Sequence, residues 1–252
     1  MKYNLYVEDV SVEAVFNKHG GVEGVKRFLS SDVVVVERNM LAASSQSDNG
    51  GISPYLSGLN TELFIADWRE FYRQVHSMDL DPTNLVKRLP PIMSGFNWGA
   101  LVFKGATPQR AYEMAASMFP CWKWCGDQSL DKVIDFDKEA RRTEEPYAVW
   151  CEDSVEPPKR LADTSAIQIA EKQINTLGLT EAELLHQWFY WKSSGKNLDV
   201  KNWTLCSASR SSDGRVPGVN WYGYYSRLYV YRWSPCDARD SLRSREVVSL
   251  AA

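Results

Sequence analysis

Histidine is scarce in this chain. Three occur in 252 residues, His19, His76 and His186, each alone and outside HExxH or any other spacing that gathers metal ligands. The side chain most used as acid, base or ligand at neutral pH is therefore thinly supplied. Phosphate cradles are missing too: GATPQR, ahead of a helix starting at Thr107, has one glycine and no P-loop lysine, so it reads as a helix cap. No apolar run reaches the length of a membrane span, and Glu8 and Asp9 interrupt the stretch where a secretory leader needs continuous hydrophobic residues. A basic excess is absent as well, with 29 basic against 32 acidic groups, so no global field draws the chain to nucleic acid. We expect a cytoplasmic protein with no membrane contact, no cofactor and no metal.

Cysteine is present without a framework. Cys121, Cys125, Cys151, Cys206 and Cys236 make an odd, scattered set, which suggests reduced thiols and not disulfides. CWKWC is the one close pair, yet structural zinc usually needs a second such knuckle. If that segment is a strand, Cys121, Lys123 and Cys125 share a face. Cys206 has no visible base beside it to activate a nucleophile.

What the chain does have is ample core: 44% hydrophobic and 12% aromatic residues. Ser11 can cap a short helix through about Lys18, Gly20 and Gly21 break it, and Val22, Val25, Phe28 and Leu29 recur at helical spacing before the β-branched run Val33 to Val36. This helix-turn-helix-strand piece, residues 1–41, resembles a winged helix-turn-helix in outline, but its second helix offers only Lys26 and Arg27 to a groove. A small, polar, Gly/Ser-rich stretch at 42–60 reads as a linker. Residues 61–252 then form the main domain.

In that domain Trp68, Phe71, Tyr72 and Val75 mark an amphipathic helix that Asp67 could cap. Ala100 to Phe103 read as a buried strand. Thr107 and Pro108 then supply an N-cap and first helical residue for Ala111, Tyr112, Ala115, Met118 and Phe119. PYAVW is a further short strand. Thr180 and Glu183 have capping-box spacing ahead of Leu184, Leu185, Trp188 and Phe189, in a helix expected to stop near Gly195. His186 on that helix reads as a surface or core-edge residue. Thr204 to Ser207, Val219 to Tyr222 and Arg227 to Trp233 suggest an antiparallel meander. The fold class expected is α+β: a mixed or antiparallel sheet with two or three packed helices, plus the small N-terminal hairpin.

Seven arginines and no lysine lie from Ser207 onward, namely Arg210, Arg215, Arg227, Arg232, Arg239, Arg243 and Arg245, against four acids, Asp213, Asp237, Asp240 and Glu246. Arginine suits bidentate recognition and stacking on rings. Alternation along the last long strand places Arg227, Tyr229, Tyr231 and Trp233 on one face and Leu228, Val230 and Arg232 on the other. The second face looks like core. The first is either a stacking platform or a set of rings packed under the Thr180 helix, whose Trp188, Phe189 and Trp191 need partners.

GGVEGVKRFL with VVVVE after it, EPYAVW, GKNLDVKNWTLCSASRSSDGRVPGVNW and LRSREVVSL resemble segments of a set of uncharacterised bacterial open reading frames. The last three segments imply one recurring module over about residues 100–250, and the first an N-terminal piece shared more loosely; the resemblance carries no established activity, so it assigns no residue a role. From the residues, the leading expectation is a non-catalytic binding protein that meets a protein or nucleic acid through Arg210, Arg215, Arg227, Tyr229, Tyr231 and Trp233. The alternatives are an enzyme acting on nucleic acid or a phosphate-bearing substrate through Arg210, Asp213, Arg215 and Asp237, and a structural component of a phage or other assembly.

Overall fold

A computed structural model describes residues 60–81, 85 and 88–250. The hairpin, the strand Val33 to Val36 and nearly all of the 42–60 linker lie outside the described residues. The first helix described, α1 (Thr61–His76), starts where an amide side chain replaces missing backbone partners: Asn60 Oδ1 accepts from the N–H groups of Glu62 and Leu63 at 3.0 and 3.1 Å. Asp67, expected as the cap, lies inside the helix and pairs with Lys192 at 2.5 Å. Next come β1 (Trp98–Val102), buried throughout, and α2 (Pro108–Met118). As expected, Thr107 Oγ1 caps α2 on Arg110 N–H at 3.2 Å with proline at the first turn. Then follow β2 (Cys121–Lys123), β3 (Tyr147–Cys151) and the short α3 (Ala166–Glu171).

The central helix, α4 (Leu179–Lys192), starts ahead of the expected cap. Gly178 is its N-cap, and Glu181, not Glu183, reaches back to the cap N–H at 2.6 Å. Glycine has no side chain to cap with, so Ser209 Oγ accepts from Leu179 N–H at 2.8 Å instead. A Cβ on Gly178 would stand 3.1 Å from that hydroxyl. Thr180 is therefore a buried residue of the first turn. From Leu179 to Phe189 every residue of α4 is buried, as befits a helix touching α1, α2, β1 and the later strand β5 (Val216–Tyr222). Trp188 stacks on Trp68 at 5.5 Å, and Phe189 meets Trp98 at 5.3 Å.

β4 (Trp203–Leu205), β6 (Arg227–Trp233), β7 (Leu242–Arg243) and β8 (Val247–Val248) complete the chain. The fold is α+β, with four α-helices and two sheets among the described residues. One sheet is antiparallel, in the order β1-β3-β8. The other is mixed, in the order β2-β6-β5-β4-β7. Its centre is the expected meander, β4-β5-β6, and β2 joins β6 and β7 joins β4 in parallel. No helix of the described residues is long and apolar enough to cross a membrane.

His186 is not at the edge of the core. It is 4% exposed and bonded to Asp199 Oδ2 at 3.0 Å. Asp199 also takes the Thr204 hydroxyl at 2.6 Å and the Arg245 guanidinium. Arg245, 2% exposed, donates further to Ser154 O at 2.8 Å and Val155 O at 3.0 Å. Burial alone would push the Asp199 carboxyl up, but Arg245 and His186 outweigh it and hold it below the ordinary carboxylate range. This network ties α4, β4 and the chain before β8 together from the inside.

Candidate recognition face

In an antiparallel pair, residues directly opposite share a face of the sheet. The register Val219↔Val230 and Trp221↔Leu228 puts one set toward α4, where Leu228, Val219 and Val230 are fully buried. The register Asn220↔Tyr229, Gly218↔Tyr231 and Val216↔Trp233 puts the other set outward. The alternation read from the sequence thus holds, and the rings of β6 do not pack under α4. They lie on the far side of the sheet from it.

Neighbouring strands extend the strip. Trp122 of β2, in register with Tyr229, sits 4.8 Å from it between ring centroids and near-parallel to Tyr231 at 6.4 Å. Trp203 of β4 meets Trp233 at 5.4 Å, and Trp233 meets Tyr231 at 5.3 Å. At the other end Tyr222 closes β5 and the turn to β6 adds Tyr224 and Tyr225, with Tyr225 near-parallel to Tyr229 at 6.4 Å. Tyr224 is 81% exposed, Tyr225 52%, Tyr222 43% and Tyr231 39%. Under α3 the same face closes: Leu205, Val216, Leu242 and Ala166 form a small second core against which Trp203 and Trp233 pack. The open part is the β2–β6 end, an aromatic area rimmed by polar groups.

Two arginines frame it. The Arg227 guanidinium lies 4.5 Å from the Tyr225 ring centroid and 5.4 Å from that of Tyr229, and Arg239 lies 5.3 Å from that of Trp233. Among the described residues neither is in an ion pair. Beneath the rings, Asn220 is 4% exposed and its Oδ1 is buried without a hydrogen-bond partner. Trp233 Nε1 is likewise buried and unpartnered, 3.1 Å from where a Cβ on Gly218 would stand. The face therefore holds one acceptor and one donor that the described residues leave unanswered, each a cost unless something supplies the bond.

The other sequence candidates are placed elsewhere. Arg210 donates to Ser207 O at 2.8 Å and Ser209 O at 2.7 Å of its own loop. Arg215 lies 3.8 Å from Asp213, which also takes the Ser211 hydroxyl at 2.6 Å and the Arg232 guanidinium. Asp237 closes a turn on Ser234 N–H at 3.0 Å. So Arg227, Tyr229, Tyr231 and Trp233 come together, while Arg210, Asp213 and Asp237 are committed to local bonds and Arg215 has a long ion pair to Asp213. Trp122, Trp203, Asn220 and Arg239 belong to the face and are not among the sequence candidates. In sequence Trp122 lies between two cysteines that draw attention to zinc chemistry, and Trp203 stands in a three-residue strand whose pairing is remote.

Burial pushes Cys121 and Cys151 up to about 12, and Cys206 well above its ordinary range. A concavity of about 80 Å³ lies beside the start of α4 and is lined by Glu139, Arg141, Tyr147, Thr180 and Glu181 among others. Arg141 forks onto Glu181 and also reaches Thr176 O at 2.6 Å, and Tyr147 donates to Glu181 at 2.9 Å. Glu139 accepts from Ser209 at 2.9 Å, and burial chiefly, with the nearby Glu181, raises its carboxyl to about 7. These groups mostly answer one another, which makes the pocket part of the anchorage of α4.

Compared with protein-family models, curated proteins and solved structures, the chain matches none.

Proposed function

We propose that this protein is a non-catalytic binding module that receives a macromolecular partner on the open β2–β6 face of its five-stranded sheet. The single observation behind the proposal is that a continuous strip of tyrosine and tryptophan rings, framed by Arg227 and Arg239 and open at its β2–β6 end, lies on the far side of the sheet from α4 with Asn220 Oδ1 and Trp233 Nε1 unpartnered. Tyrosine, tryptophan and arginine dominate the energetic centres of protein interfaces, because rings bring large area at low entropy cost and guanidinium stacks on them. An enzymatic reading would need charged groups converging on a reacting atom, and the loop residues Arg210, Asp213, Arg215 and Asp237 do not converge: Arg210 and Asp237 bond to their own turns, and Arg215 and Arg232 both meet Asp213.

A photo-crosslinking residue at the exposed position Tyr224 tests this in cells that make the protein. We expect a discrete adduct that disappears when Arg227, Tyr229 and Tyr231 are together replaced by alanine in a chain whose near-UV circular dichroism retains its tertiary signal. Equal adduct from both chains would sink the proposal.

A further inference from the structure

Building on the reading of this face as a recognition surface, we infer that its occupant is an extended, proline-containing protein segment flanked by carboxylates. The strip follows β6 along its length. Seven residues at about 3.3 Å each give roughly 20 Å, the span of about six or seven residues in polyproline II conformation at 3.1 Å each. Such segments dock in aromatic-lined furrows, where proline rings slot between side chains that meet edge to face. Edge-to-face meetings recur along the strip: Tyr222 and Tyr229 are tilted 67° apart, Tyr231 and Trp233 70°, Trp203 and Trp233 77°, while Tyr225 lies near-parallel to Tyr229 and Trp122 to Tyr231.

The hydrogen-bonding inventory points the same way. A polyproline II chain has no internal hydrogen bonds, so its carbonyls need donors. The indole N–H of Trp233 is an unanswered donor on this face, and the outward tyrosines add hydroxyls. Asn220 Oδ1 is an unanswered acceptor, which proline cannot satisfy, so the segment must include at least one residue with an N–H. Both atoms are buried, so reaching them requires neighbouring rings to turn, a rotamer change common at interfaces. Arg227 and Arg239, at opposite ends of the strip and without carboxylate partners among the described residues, call for acidic residues on both flanks. Single-stranded nucleic acid fits less well. It offers a phosphate at every nucleotide and a ring face for each base. This face has two unpaired arginines and no lysine, and the guanidiniums already lie over Tyr225, Tyr229 and Trp233.

The full chain is titrated, following tryptophan fluorescence, with three probes: a peptide of prolines broken by one alanine and flanked by glutamate pairs, the same peptide flanked by lysine pairs, and a ten-nucleotide oligothymidylate. We expect saturation with the acidic peptide below about 1 mM, and binding of the lysine form weaker by about tenfold or more. The Arg227→Glu/Arg239→Glu chain should reverse that order. Failure of the acidic peptide to saturate, or an unchanged order in the charge-reversed chain, overturns the inference. Oligothymidylate binding that is lost in the charge-reversed chain would keep the face as a recognition site with a nucleic acid as its occupant. Crosslinking at Tyr224 that persists and depends on Arg227, Tyr229 and Tyr231, with no peptide bound, would likewise retain the recognition face and discard the proline-containing segment.

Discussion

The two faces of the β5–β6 pair are made by alternate residues of the same strands, yet they have opposite fates. Toward α4, aliphatic side chains such as Leu228 and Val230 are fully buried, and the deepest ionised groups, Asp199 and Arg245, hold each other. On the other side, rings as large as those of Tyr222 and Tyr231 stay partly in solvent, with Asn220 Oδ1 and Trp233 Nε1 unanswered below them. Strand geometry decides which side a residue takes, and the neighbouring elements decide whether that side is covered. At the β4–β7 end α3 provides the cover. At the β2–β6 end the described residues provide none. Stability should therefore reside on the inner face and recognition on the outer one.

The largest way to break this contrast is Arg245→Met. It strands the Asp199 carboxylate in the core, and we expect a loss of about 3–5 kcal/mol by urea denaturation. A loss under about 1 kcal/mol would mean that the internal network does not hold these elements together.

Glu139→Gln probes the anchorage of α4 through pH. The folded carboxyl at about 7 lies above the ordinary glutamate range near 4.5, so the folded chain keeps a proton that the unfolded chain releases. Below both values there is no penalty, and stability falls as pH rises from about 4.5 through 7, by about 2 kcal/mol allowing for partial solvent screening. The glutamine chain should lack that fall, giving parallel melting curves at pH 5 and 8 apart from the contributions of other groups. A wild-type chain whose melting rises over this window relative to the variant would contradict the sign.

Gly218→Ala is smaller and acts outward. The new methyl would stand 3.1 Å from Trp233 Nε1 and 3.3 Å from Thr204 O, so the half-buried indole must shift. We expect a cost of about 1 kcal/mol, a changed tryptophan emission and weaker binding on the outer face. Smallest of all, Tyr224→Ser should change stability by no more than about 0.5 kcal/mol. If thermal denaturation instead shows a core-sized loss, the outer rings are structural and the contrast between the faces collapses.

Local chemistry made several elements legible. Thr107 and Pro108 carry their cap and first turn in two adjacent residues, and the alternation of Arg227 to Trp233 separates its faces without any knowledge of what packs on them. Where a partner comes from far along the chain, the same style of reading fails. Thr180 looks like a cap, but Ser209, thirty residues away, caps the helix at Gly178 instead. His186 looks like an edge residue because Asp199 and Arg245, which make its burial tolerable, are invisible from its own turn of helix. Both sheets are completed at their edges by β2, β7 and β8, strands of two or three residues too short to show a period.

By itself, then, the sequence determined the α+β class, the meander and the sidedness of β6, because propensity, capping and the two-residue period of a strand act between neighbours. Only the tertiary structure decided that the rings of that strand face away from α4, that Trp122, Trp203 and Arg239 join them, and that Arg210 and Arg215 do not. Those outcomes depend on which remote segments arrive to cover a face or answer a charge, and burial is a property of that assembly.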